Sequence, residues 1–184
     1  YMLSVVADEP MERTDTTEGG WESSELRAWA SSDGKALLPA ELASRLVVVA
    51  KSTNNVGVTD DAAAVTQTVD ELWAFSASEV CGAVSWFRDE YGPTMASYDD
   101  LIGLEGEQYP YFRAAGVTGG SDPSGALALT YRGASWAWWY RTPYPYVFMG
   151  HGDSGSFFQV TASGFPSSVG LASSSSGVVL GFCL

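Results

Sequence analysis

Trp136-Ala137-Trp138-Trp139-Tyr140-Arg141, then Phe157-Phe158-Gln159-Val160-Thr161, then Val178-Val179-Leu180-Gly181-Phe182-Cys183-Leu184: three short runs near the C-terminus decide the class of fold. Each is rich in aromatic or β-branched residues and is set off by Gly, Ser or Pro, the composition of a strand. Upstream of them the periodicity is helical. Leu26, Trp29 and Ala30 fall on one helix face, with Ser23 or Ser24 as cap; Leu38, Leu42 and Leu46 repeat every four residues, with Pro39 in a first turn. No alternation of strand and helix links the two regions. The expectation is an α+β domain, two helices packed on a small, mostly antiparallel sheet with long loops.

The intervening chain is read more coarsely. Val47-Val48-Val49-Ala50 reads as a buried strand, 53–70 as a polar surface loop, and Leu72-Trp73-Ala74-Phe75 as another strand. Ser78-Glu79 can cap a turn of helix through Cys81, residues 86–104 read as loop and turn, and Pro110 confines a short helix over Glu107–Arg113 to its first turn. Gly116–Gly125 is a further loop. Trp21, Leu26, Trp29, Leu42, Leu46, Trp73, Phe75 and Trp139 are the expected core, and Arg141 is expected to fix the strand that carries it.

Composition bounds the function. The 184 residues make one domain, 46% hydrophobic and 13% aromatic, so the chain can bury a core. A net charge of −13, with Lys only at Lys35 and Lys51, disfavours nucleic acid and anionic membrane surfaces as partners. No apolar run approaches the ~20 residues that span a bilayer. Tyr1-Met2-Leu3-Ser4-Val5-Val6 opens like a strand already under way, which leads us to expect a C-terminal domain of a longer chain. Cys81 and Cys183 are the only cysteines; a disulfide and two buried thiols both fit the sequence.

From Thr142 to Leu184 the only charged side chain is Asp153, among many rings, Gly and Ser. A core segment would carry less Ser and Gly, and a solvated loop fewer rings. The mixture is that of a paratope, with rigid amphipathic rings for contact and small residues for adaptable hydrogen bonds. Enzyme signals in the same stretch fail on context. Gly150-His151-Gly152-Asp153-Ser154-Gly155 fits G-x-G-x-x-G but runs into a strand rather than a helix. Its Gly-Asp-Ser-Gly portion resembles the nucleophile segment of chymotrypsin-like proteases, yet the sole histidine, His151, lies three residues from Ser154, where a triad cannot readily form. Asp60-Asp61 and Asp99-Asp100 read as solvated surface pairs rather than glycosidase or calcium carboxylates. No catalytic residue, cofactor or metal is expected.

Six segments in order carry a resemblance. Gly19-Gly20-Trp21-Glu22-Ser23-Ser24-Glu25-Leu26-Arg27-Ala28-Trp29 and Leu38-Pro39-Ala40-Glu41-Leu42 resemble the start of a widespread bacterial domain family of unknown function. Leu72–Val80 resembles its "LWLLSxSEV" segment, Glu105–Phe112 its "EGxQYxYF", Trp138–Pro143 its "WWLRSP" and Gly177–Leu184 its "GVxPxFCL". That family is similar to the C-type lectin-like fold of formylglycine-generating-enzyme relatives and of the variable proteins of diversity-generating retroelements. The Glu-Pro-Asn and Trp-Asn-Asp motifs of calcium-dependent lectins are missing, and Cys81 and Cys183 do not match the active-site cysteines of the formylglycine-generating enzymes.

The resemblance implies a non-enzymatic display domain whose C-terminal segment binds a protein or other macromolecule on a target surface, at a cell surface, outside the cell or on a phage particle. Its expected recognition face is Tyr140, Tyr144, Tyr146, Phe148, His151, Asp153, Phe157, Ser168, Val169 and Leu171. The rival readings are a structural module of a surface protein or phage particle and a serine hydrolase using Ser154.

Overall fold

The computed structural model describes residues 1–147 and 155–184. Its strands are β1 (Ala7–Glu9), β2 (Val49–Asn54), β3 (Val65–Asp70), β4 (Leu72–Ala74), β5 (Thr130–Tyr131), β6 (Ala134–Ser135), β7 (Trp138–Pro143), β8 (Ser156–Val160), β9 (Ser168–Leu171), β10 (Ser176–Val178) and β11 (Leu180–Phe182). Its α-helices are α1 (Gly20–Ser23), α2 (Glu25–Trp29), α3 (Ala40–Ala43), α4 (Ala77–Cys81), α5 (Trp86–Tyr91), α6 (Ala96–Gly103) and α7 (Pro110–Ala114). The α+β class expected from the sequence is what the chain adopts.

The main sheet has the order β1-β10-β7-β8-β9 and is antiparallel except where β10 runs parallel to β7. That close pairing needs Gly177, because a Cβ there would come within 2.7 Å of the Ala137 carbonyl oxygen. Every residue of β7 is buried, so this strand has a core on each side. Side chains alternate across a sheet. Trp138, Tyr140, Phe158 and Val160 enter one cluster, with Phe87, Ile102 and Phe112 from the helices. Trp139 and Phe157 enter the other, with Trp21, Leu26, Trp73 and Phe182. Trp29, Leu42 and Leu46 pack at the edge of this second cluster and are only partly buried.

Several local expectations change. The strand after the valine run begins at Val49, while Val47 and Val48 are about half exposed, at 48% and 56%. Residues 53–70 are not one surface loop. Val65–Asp70 pairs with Val49–Asn54 along its whole length, burying Thr53 and Asn54. The Asn54 side chain closes the connection by accepting from the Val56 and Gly57 amides and donating to the Gly57 carbonyl. Residues 86–104 form α5 and α6 rather than loop, so helix also lies between the strands. Ser76, not Ser78, caps α4, in a reciprocal capping box with Glu79. Pro110 does open α7, and Ser24 does cap α2.

Candidate functional site

The frame of the site is a buried ionic cluster at the centre of β7. Arg141, fully buried, donates through all five of its N–H groups: to Thr53 Oγ1, the Ser52, Ala74 and Glu105 carbonyls, and Glu79. One guanidinium therefore ties β2, β4, α4 and the segment after α6 to β7. Glu79 also accepts from Lys51 at 2.9 Å, Tyr109 at 3.2 Å and the Ser76 amide at 3.0 Å. Burial pushes its carboxyl up, but Arg141, Lys51 and these bonds outweigh burial and hold it below the usual range. The neighbouring Glu105 is fully buried and has moved the other way, to about 7, because burial outweighs Arg141 and its hydrogen bonds from Thr142 and the Asn54 amide. Thr142 Oγ1 in turn accepts the Ala77 amide.

Two residues past Thr142 the character changes. Tyr144 and Phe158 meet α5 and the chain entering β9 around a cleft of about 260 Å³, lined by Trp86, Phe87, Tyr91, Ser168 and Val169. The rings form one continuous array. Tyr144 lies 5.3 Å from Phe87 and 5.4 Å from Phe158, and Trp86 lies 4.7 Å from Phe158. Tyr146 packs against Tyr91 at 5.5 Å and Tyr98 at 5.2 Å. Tyr91 and Tyr144 bring their hydroxyls to 3.5 Å. The Tyr144 bond favours the Tyr91 anion, but burial and Glu90 outweigh it and push Tyr91 up; burial and Asp60 push Tyr98 up. Tyr91 and Tyr98 are therefore neutral hydrogen-bonding groups at neutral pH.

The helix under these rings has a cap borrowed from elsewhere. Ser85, which precedes α5, makes no capping bond to the helix, and the buried Asp99 carboxylate of α6 accepts from both the Phe87 and Arg88 amides at 3.0 Å. Asp99 is thus a structural cap and not half of a solvated surface pair. Trp86 is fixed by donation to the Gly119 carbonyl at 2.7 Å.

The sequence-derived face divides. Tyr144, Ser168 and Val169 line the cleft, Tyr146 joins its ring array, and Leu171 is exposed two residues further along the edge strand. Val169 pairs with Phe158 across the ladder, which sets it on the cleft side. Tyr140 and Phe157 do not belong. Both are fully buried, on opposite faces of the sheet; Tyr140 packs on Trp138 and its hydroxyl meets Cys81 Sγ at 3.6 Å. Alternation along β7 and β8 turns them into the core. Phe148, His151 and Asp153 lie outside the described residues, as does Ser154. Reading 86–104 as loop missed Trp86, Phe87, Tyr91 and Tyr98; the Phe87–Tyr91 spacing of four was the helical signal. Among the described residues no three His, Cys, Asp or Glu gather as a metal cluster, and no helix is long and apolar enough to cross a membrane. Cys81 and Cys183 are free thiols.

The family model for a domain of unknown function, DUF6273, matches residues 3–184. The chain belongs to that family. The DUF6273 match takes in both core clusters, the Arg141 frame and the aromatic cleft. No curated protein and no solved structure matches the chain significantly.

Proposed function

We propose that this DUF6273 chain is a non-enzymatic ligand-binding domain, built as a display scaffold in the manner of C-type lectin-like variable proteins. Its recognition face is the cleft of Tyr144, Tyr146, Ser168 and Val169, extended along the edge strand to Leu171. One observation carries the reading. The side chains that lock the frame, from Arg141 to Glu105, do not overlap with those that line the cleft, although the two sets adjoin in sequence. Surface residues can then change without disturbing the lock, which is what a scaffold for varied binding requires. The partner is a protein or other macromolecule on a target surface, held by a few rings desolvated at the centre with Ser at the rim. The matching family-level resemblance to proteins diversified by retroelements, and a setting outside the cell or on a phage particle, belong to the same proposal.

The test is a display library randomised at Ser168, Val169 and Leu171. Surface changes of this kind each cost within ~0.5 kcal/mol, so with three positions varied most members should melt within about 5 °C of the parent. Selection on an immobilised folded protein should enrich binders that lose binding when the parental residues return. A library whose members mostly unfold, or from which no binder emerges, removes the reading.

A further inference from the structure

A second concavity, sharing no residue with the cleft, lies where β11 meets α7. It has a volume of about 500 Å³ and is walled by Trp73, Phe75, Tyr109, Tyr111, Phe182 and Cys183. That volume is within the range of small-molecule sites, roughly 300–1,000 Å³, and carbon-ring walls with few polar groups are their usual lining. The rings are held rigidly. Phe75 meets Tyr109 and Phe112 edge-on, at 90° and 86°, and Tyr1 stacks on Phe182 at 5.2 Å. Gly181 is required beneath the floor, since a Cβ there would come within 2.8 Å of Trp73 Nε1.

Charge decides what can enter. The Lys51 ammonium already sits 4.1 Å from the Trp73 ring centroid and 5.1 Å from that of Tyr109, where it is also bonded to Glu79. Trp73 and Tyr109 therefore each already hold a fixed positive charge against the ring, and a second cation beside them would be repelled. An anion faces the field of a chain with net charge −13. Only a neutral molecule meets neither obstacle, and a flat ring gains offset and edge contacts that an aliphatic chain does not. We infer that this groove is a binding site for an uncharged planar aromatic small molecule, distinct from the macromolecular face.

Cys183 supplies a reporter in the wall. Cys81 is buried, and burial pushes its thiol up to about 12, so an alkylating reagent reads Cys183 alone. The probe is N-phenyl-1-naphthylamine, a neutral fluorophore, with an anionic anilinonaphthalene sulfonate and a cationic N-methylquinolinium as comparators. At about ten times its dissociation constant the neutral probe should slow iodoacetamide alkylation of Cys183 by about tenfold, while the charged compounds at the same concentration should not. Tyr111 is 59% exposed, so Tyr111→Ala should weaken the neutral probe by about tenfold with an unchanged melting temperature. An alkylation rate unaffected by the neutral probe, equal protection by all three compounds, or full affinity in Tyr111→Ala would each overturn the assignment.

Discussion

Glu79 and Glu105 approach the same guanidinium and yet have moved in opposite directions, and the difference is in what each carboxylate receives. Glu79 gathers two cations, a phenol and an amide. Glu105 has one amide and one hydroxyl, gives Arg141 only its backbone carbonyl, and lies near the negative Glu79. The signs for stability follow. A carboxyl held low stabilises the fold above its unfolded value and loses that contribution on acidification, so Glu79 matters at low pH. A carboxyl held high stabilises fully below its unfolded value, near 4.5, and loses the contribution as pH rises through about 7. Glu105→Gln keeps an acceptor for the Asn54 amide and removes the titration. Urea unfolding from about pH 5 to about pH 8 should show the variant gaining on the parent as pH rises, by up to ~3 kcal/mol. A difference that stays constant across that window would mean that Glu105 ionises like a surface carboxylate.

At the scale of the element, α5 is the piece on which the cleft depends. Six residues are too few for a helix to be stable alone, so its order must come from the Asp99 cap and from ring packing. Removing a cap costs ~0.5–2 kcal/mol. Asp99→Ala should therefore lower stability by about that amount and speed hydrogen exchange at the Phe87 and Arg88 amides in particular. Asp99→Asn, which retains one carbonyl oxygen, should lose less. Equal protection of both amides in parent and Asp99→Ala would show that packing alone holds α5. Such caps also explain what the sequence concealed. Ser24 and Pro110 could be read because a cap or a first-turn proline acts on its own helix. Asp99 acts on amides twelve and eleven residues before it, on a different helix, and nothing local in Asp99-Asp100 distinguishes it from a solvated pair. The β2–β3 hairpin was hidden for a similar reason. Thr66 and Gln67 are exposed and Thr68 and Asp70 are polar although buried, so the run mimics a loop, while its register is set by backbone pairing with β2.

For the whole molecule, the C-terminal strands and the large core rings were legible because burial selects aromatic and β-branched residues on both sides of β7. Which rings face a ligand was not legible. Tyr140 and Tyr144 both belong to the Phe158 side, and only the packing of Trp138 and Cys81 on Tyr140 makes it core while Tyr144 borders the cleft. The sheet's second covered face has a thermodynamic consequence. Phe157 and Phe158 are adjacent in β8 but enter different clusters, so one strand couples the two halves of the core. If the sheet transmits packing from face to face, neither cluster can melt alone. Phe157→Ala and Phe158→Ala should each cost ~3–5 kcal/mol. In both variants, tryptophan fluorescence and far-ultraviolet circular dichroism should trace one coincident transition, the mark of two-state unfolding. Separated transitions in either variant would mean that the two clusters are independent units joined only by covalent chain. The display reading would then lose its rigid frame, because the cleft rests on the Phe158 side and the Arg141 lock ties that side to β4 on the Phe157 side.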